Sequence, residues 1–177
     1  LAGAEVNMVS FVSRESRLKF ALEKFLAERE SQGQRIDYVI IDCPPSLGLL
    51  TVNALTAAEE VLVPIQCEYY SLEGLSLLLQ TLQQVQSMLN KQVHISTIVL
   101  TMYDSRTRLA NDVANSVRQH FPKELIDIPI PRAVRISEAP SFNQTVMTYD
   151  ASSPGAIAYM QIAREIAKRG VANIEVA

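Results

Sequence analysis

The sequence predicts an α/β fold, a mostly parallel sheet with helices on both faces, and three observations predict it. Tyr38-Val39-Ile40-Ile41 is an unbroken apolar run that closes on Asp42 and the rigid pair Pro44-Pro45. Such a run is the pattern of a strand covered on both faces, and its carboxyl end is where α/β proteins keep their chemistry. Further apolar runs alternate along the chain with stripes at helical spacing, the order that builds a parallel sheet with crossover helices. Finally, 177 residues with 48% hydrophobic and 20% charged side chains suffice for one well-filled core, so residues 1–177 are expected to form a single domain.

The elements follow in order. Leu18, Leu22, Phe25 and Leu26 mark one side of a helix after Ser13 that stops near Gly33. The strand ending at Asp42 comes next, then a short helix over residues 49–58. Glu60 to Ile65 reads as a second strand, with Pro64 marking its end or an irregularity. Ser71 is the expected N-cap of a long helix whose stripe is Leu72, Leu75, Leu79, Leu82, Val85 and Leu89, read as core. Residues 95–101 form the third strand. Leu109, Val113 and Val117 define a helix closed by Pro122, residues 125–130 a fourth strand, and residues 145–149 a short fifth. The last helix has Ser153 as cap, Pro154 at its first position, Tyr159, Ile162, Ala163 and Ile166 on one face, and Lys168, Arg169 and Gly170 at its end.

Composition narrows the function. No stretch approaches the roughly 18 to 20 apolar residues of a membrane span, and no signal-like pattern opens the chain, so a soluble, cytosolic protein is expected. Cys43 and Cys67 are too few and too far apart for a disulfide framework or a zinc site, and both are expected as buried structural thiols. A net charge of −3 and a pI near 5.4 argue against a wholesale nucleic-acid binder. Between Tyr103 and Ser137, however, six basic residues face four acidic ones, a hint of a basic face.

Asp42 carries the first chemical candidate. In nucleoside-triphosphate enzymes an aspartate closing a buried strand holds Mg²⁺ beside the phosphates, often through water; in many other α/β proteins it caps the following helix. Both readings stand on the pattern alone. The phosphate cradle G-x-x-x-x-G-K-[ST] would decide between them, but the six glycines are scattered and none precedes a lysine. Without that loop nothing offsets the repulsion between Asp42 and a triphosphate, so this chain alone is expected not to bind ATP tightly. His94 and His120 are isolated and read as surface residues. Cys43 is a poor nucleophile candidate, because the neighbouring carboxylate suppresses thiolate formation.

Three long blocks then carry a resemblance: "DYVIIDCPPSLGLLTVNALTAAEEVLVPIQCEYYSLEGLSLLL", "LTMYDSRTRLANDV" and "IPRAVRISEAPSFNQTVMTYD". Together with the opening "LAGAEVNMVSFVSRESRLKFALE", they resemble consecutive blocks of the ParA/Soj ATPases, which partition chromosomes and plasmids. The resemblance implies a P-loop NTPase fold, represented here by the carboxyl-terminal two-thirds, with the P-loop strand and first switch lying upstream. It implies that Asp42 is the Walker B aspartate holding Mg²⁺ through water, and that Cys43, Pro44, Pro45 and Ser46 form the second switch. Thr101, Met102, Pro131 and Arg132 match the stretches that flank the adenine of ATP. Arg106 and Arg135 match positions that grip DNA without sequence preference, a task suited to guanidinium groups on phosphates.

The family resemblance further implies an ATP-dependent homodimer on nucleoid DNA, hydrolysis stimulated by a ParB-type partner, and no membrane contact. One departure is visible. Relatives carry more basic residues where this chain has Gln144, Ala151 and Pro154, which implies a weaker or displaced DNA grip. A MinD-like relative is the alternative in the same fold, although the tail "GVANIEVA" lacks the basic residues of a membrane helix. A nitrogenase-type iron protein would need cysteine pairs in a context absent here. A nucleotide-free interaction module is the alternative of another class. Loss of the upstream strand is expected to uncover apolar surface and to cause self-association or poor solubility.

Overall fold

The computed structural model describes residues 12–176, with side chains through residue 170. The first part of the opening block and the side chains of the tail lie outside the described residues. The chain divides into two compact units, one comprising residues up to Val61 with Ser76–His94, the other Leu62–Leu75 with the residues from Ile95 onward.

In the first unit a 3-10 turn, Arg14–Ser16, leads into α1 (Arg17–Ser31), followed after a loop by α2 (Leu49–Ala57). Leu18, Leu22 and Leu26 of α1 are half-buried and the helix packs on α2, whereas Phe25, expected on the same side, is exposed. Buried Asn53 ties them together. Its Oδ1 accepts from the Leu18 amide at 3.2 Å, while its Nδ2 donates to the carbonyls of Arg14 and Leu49 at 2.8 and 2.9 Å. Asn90 closes the other end of α2, donating through Nδ2 to the carbonyls of Leu55, Thr56 and Ala58 at 3.1, 3.1 and 2.7 Å. These are carbonyls that a helix end leaves without intrahelical partners.

The three strands are β1 (Glu60–Gln66), β2 (His94–Thr101) and β3 (Leu125–Ile126), in spatial order β1-β2-β3. β2 and β3 pair in parallel, Ile98 with Leu125 and Val99 with Ile126. The His94 amide at the entrance of β2 donates to the Glu59 carbonyl before β1 (3.2 Å), and the Cys67 amide after β1 donates to Thr101 at the exit of β2 (3.0 Å). β1 and β2 therefore run the same way, and the predicted parallel α/β class holds. Central β2 is buried from Thr97 to Leu100, as a strand with neighbours on both sides demands.

The helices flanking the strands are α3 (Ser71–Met88), which passes from the second unit into the first, α4 (Arg108–His120) and α7 (Pro154–Val176). Thr107 caps α4 by accepting from the Ala110 amide at 3.3 Å, and Ala110, Val113, Ala114 and Val117 are its buried face, whereas Leu109 of the expected stripe is exposed. Ser153 caps α7 as expected, accepting from the Ala156 amide at 3.3 Å. Val99, Ile126, Ile130, Ala158 and Ile162 form one core cluster of the second unit. No helix among the described residues is long and apolar enough to cross a membrane.

Several expectations are corrected. Residues 36–42 form no strand, and Tyr38, Val39 and Ile40 are 65%, 46% and 92% exposed. An apolar run becomes a strand only where a neighbour completes its ladder, and no described strand does. β1 buries only Val63 and Ile65 and leaves Leu62, Pro64 and Gln66 exposed. β3 stops after two residues because the Ile128 amide donates to the Ile126 carbonyl at 2.7 Å instead of to β2, and contact with β2 resumes only where the Ile130 amide donates to the Leu100 carbonyl at 2.8 Å. Residues 145–149 are not a strand. Thr145 and Thr148 form a reciprocal cap that turns Val146–Tyr149 into a short helix, α6, preceded by another, α5 (Val134–Glu138), and a 3-10 turn, Ala139–Phe142.

Ser71 is the first residue of α3 rather than its cap, and its hydroxyl donates to the Glu68 carbonyl. In the leucine stripe Leu75, Leu82 and Val85 are buried, whereas Leu89 lies beyond the helix end and is exposed. Helix α7 runs through Gly170, and its buried face is Ala156, Ala158 and Ile162, with Tyr159 and Ala163 turned outward.

Candidate functional site

Asp42 lies in the first unit on an exposed loop, where its carboxylate makes no hydrogen bond or ion pair with the described residues. The helix that follows starts at Leu49 with Gly48 at its cap position, so Asp42 does not cap it. The loop is tied down downstream, where the Thr51 hydroxyl donates to the Ser46 carbonyl at 2.6 Å. Cys43 is exposed, against the expectation of a buried thiol, because the run before it is itself uncovered; Cys67 is buried as expected. Partial burial, and secondarily the charge of Asp42, push the Cys43 thiol up, which agrees with its dismissal as a nucleophile. No three His, Cys, Asp or Glu residues cluster to hold a metal among the described residues. A lone, unpaired carboxylate fits an ion that keeps most of its water and binds phosphate; it does not fit an all-protein cage.

The remaining candidates lie in the second unit, at the carboxyl edge of the sheet. Thr101 ends β2, its hydroxyl donating to the Ile65 carbonyl at 3.3 Å. Met102 then adopts φ 54°, the left-handed region that a bulky side chain rarely enters. The next residue reverses the path. The Tyr103 amide donates to the Ile130 carbonyl at 3.0 Å, the Arg132 amide donates to the Tyr103 carbonyl at 3.0 Å, and Tyr103 and Pro131 form a parallel bridge. Thr101-Met102 and Pro131-Arg132 are thus brought side by side. The Tyr103 hydroxyl, 2.7 Å from Asn111 Oδ1, fastens this edge to α4.

Arg106 stands on the loop between this edge and α4. Its Nε and Nη2 donate to the two oxygens of Asp104 at 2.9 and 2.7 Å, and its amide donates to Asp104 Oδ1 at 3.0 Å. The guanidinium and amide bonds lower the Asp104 carboxyl to about 2, with the charge of Arg132 a minor contribution. Arg135 sits on α5. Its Nη1 donates to Glu138 Oε2 at 3.2 Å, its Nε is 3.6 Å from Asp150 Oδ2, and its guanidinium carbon lies 5.8 Å from the Tyr149 ring centre. The adjacent Tyr149 side chain, then the charge of Glu138, holds Arg135 above its usual range. Phe142 stacks on the Tyr149 ring at 5.1 Å. Beneath this platform α7 comes so close to α5 that a Cβ on Gly155 would lie 2.7 Å from Ile136 Cδ1.

Sequence reasoning missed Asp104, Glu138, Asp150 and Tyr149. The first two had a local signal: two residues before Arg106, and three after Arg135 on one helix face. Asp150 and Tyr149 reach Arg135 only through the packing of α6 beside α5. His94 and His120 are exposed, each ring nitrogen set against a nearby backbone carbonyl, as expected of surface residues. Gln144 and Ala151, the positions of the basic departure, are exposed, and Pro154 is the first residue of α7.

A family model described as an AAA domain matches residues 1–95. The chain is 50% identical over 170 residues to the sporulation initiation inhibitor protein Soj of Bacillus subtilis, covering 96% of this chain and 64% of that protein. It is 48% identical over 169 residues to the chromosome partitioning protein ParA of Myxococcus xanthus, covering 96% and 57% respectively. Among solved structures, cobyrinic acid a,c-diamide synthase of Mycobacterium smegmatis with bound ADP and magnesium superposes with a TM-score of 0.75 at 35% identity, covering 97% of this chain and 60% of that one. The chain therefore spans less than two thirds of the length of these relatives.

Proposed function

The chain belongs to the ParA/Soj branch of the AAA-domain family and has a P-loop nucleoside-triphosphatase fold, and from that premise we propose that it is part of an ATPase that partitions chromosomes or plasmids. The observation that carries this reading is the bridge between Tyr103 and Pro131, which sets Thr101-Met102 against Pro131-Arg132 at the carboxyl edge of a parallel sheet. That edge is where ligands of open α/β sheets bind. The two stretches would hold the adenine of ATP between them.

Asp42, unpaired and exposed, would orient the waters around a magnesium ion. The ion's contribution is to offset the charge on the phosphates. The stiff Cys43-Pro44-Pro45-Ser46 turn would register the γ-phosphate, because a backbone with two fixed φ angles transmits a displacement instead of absorbing it. Arg106 and Arg135 would contact DNA phosphates without reading bases. ATP would join two copies on nucleoid DNA in the cytoplasm, and a ParB-type partner would stimulate hydrolysis. A strand neighbour for residues 36–42 would come from the part of the relatives' length that this chain does not span.

This chain alone, which lacks a glycine-lysine cradle, should not bind ATP tightly. Calorimetry with ATP and Mg²⁺ is expected to show no micromolar binding, and micromolar affinity would overturn that expectation. A version extended to the relatives' length is expected to hydrolyse ATP and to lose turnover with Asp42→Ala. An undiminished rate in that variant would remove Asp42 from the mechanism, and an extended chain that does not bind ATP would favour the nucleotide-free interaction module.

A further inference from the structure

The two arginines read as DNA contacts are not open. Arg106 spends Nε and Nη2, the edge of the guanidinium fork that matches a phosphate, on both oxygens of Asp104. Arg135 is met on two sides, by Glu138 at 3.2 Å and by Asp150 at 3.6 Å, with Tyr149 beneath it. A carboxylate and a phosphodiester are both planar-edged oxyanions that compete for the same donors. We propose that Asp104, and Glu138 together with Asp150, are built-in competitors for phosphate that hold Arg106 and Arg135 closed until the backbone of DNA displaces them. This rests on the DNA-binding reading above and adds its regulation.

Three features make displacement the expected outcome. Both pairs are at the surface, the Arg106 side chain being 87% exposed, and surface ion pairs are weak enough for a second oxyanion to replace. Each carboxylate has another hydrogen-bond donor: Asp104 Oδ1 also accepts the Arg106 amide, Glu138 Oε2 lies 3.4 Å from the Tyr149 hydroxyl, and Asp150 Oδ1 accepts from the Ser152 hydroxyl at 3.0 Å. None is stranded when its arginine leaves. The loop and the α5–α6 junction also stay in place, because those second contacts do not involve the guanidinium groups. The consequence is selectivity for dense polyanions. A lone phosphate competes with a carboxylate already in position, whereas a duplex presents many phosphates to several arginines at once.

The test is salt-dependent anisotropy of a fluorescent duplex, in the presence of ATP and Mg²⁺, with a version extended to the relatives' length and its variants. Asp104→Asn keeps Oδ1 for the Arg106 amide and removes the charge, and Glu138→Gln does the same at Arg135. Each is expected to tighten binding by about threefold to tenfold and to steepen the log K against log salt slope by about one, the value of a full phosphate contact. In an Arg106→Ala background the gain from Asp104→Asn should vanish, whereas simple relief of charge repulsion would persist there. A persistent gain, or none in the single variants, overturns the proposal. If Arg106→Ala and Arg135→Ala leave binding unchanged, the DNA reading itself fails; if they weaken it while the carboxylate variants do not tighten it, only the competitor idea fails.

A DNA-free readout keeps the proposal exposed should binding be too weak to measure. The Arg106 Nε–H NMR signal should show slow guanidinium rotation in the wild-type chain and fast rotation in Asp104→Asn. Fast rotation in both overturns the competitor role.

Discussion

Asp104 shows how much one side chain can settle. Its two oxygens take three hydrogen bonds from a single neighbour, Arg106, and the carboxyl is lowered to about 2 from 3.8. A depressed carboxyl favours the folded state above its unfolded value and loses that contribution as pH falls through 3.8 toward about 2. The pair therefore stays intact at any neutral or mildly acidic pH, and acidification to pH 5 should not free Arg106. An NMR titration of the Asp104 side-chain carbon is expected to have its midpoint near 2, moving back toward 3.8 in Arg106→Ala. A midpoint unmoved by that substitution would show that the guanidinium is not the cause. At this scale the identities of Arg106 and Arg135 were legible in the sequence, because motif blocks keep residue types at fixed spacing. Their closed state was not, since Asp150 and Tyr149 meet Arg135 only once the helices have packed.

Among elements, the helices were more legible than the strands. A helix makes its hydrogen bonds within itself, so the stripe Val113 and Val117, or the cap Ser153 with Pro154, specifies it locally. A strand takes its bonds from elsewhere, and the two failures follow from that. Residues 36–42 have the composition of a buried strand and no ladder; residues 145–149 have strand-like residues but a threonine pair that caps a helix first. At Gly155, α7 meets Ile136 of α5 so closely that a Cβ there would lie 2.7 Å from Ile136 Cδ1. Gly155→Val places a branched side chain into that contact and is expected to cost about 1–3 kcal/mol, the range for overpacking a filled site. Thermal melts would show the loss. An unchanged melting temperature would mean that α7 can shift without strain.

For the molecule as a whole, Tyr38, Val39 and Ile40 form an exposed apolar run and are expected to govern behaviour in solution. Unpaired backbone beside large apolar side chains is a template for association. This chain is expected to self-associate as its concentration rises, and Ile40→Lys, at a position 92% exposed, to shift it toward monomer without loss of helical content. Sedimentation over a concentration series would check both, and a wild-type chain that remains monomeric throughout would refute the expectation. The sequence by itself determined the class of fold, the order of its longer helices and the identity of the residues that carry charge at the sheet's carboxyl edge. These depend on local periodicity and on side-chain chemistry, which a linear chain already contains. Only the tertiary structure decided which apolar run became a strand, which face of α7 was buried, and that Asp150 and Tyr149 meet Arg135. Those outcomes depend on which groups compete for the same partner in space, a contest that is settled only when distant segments meet.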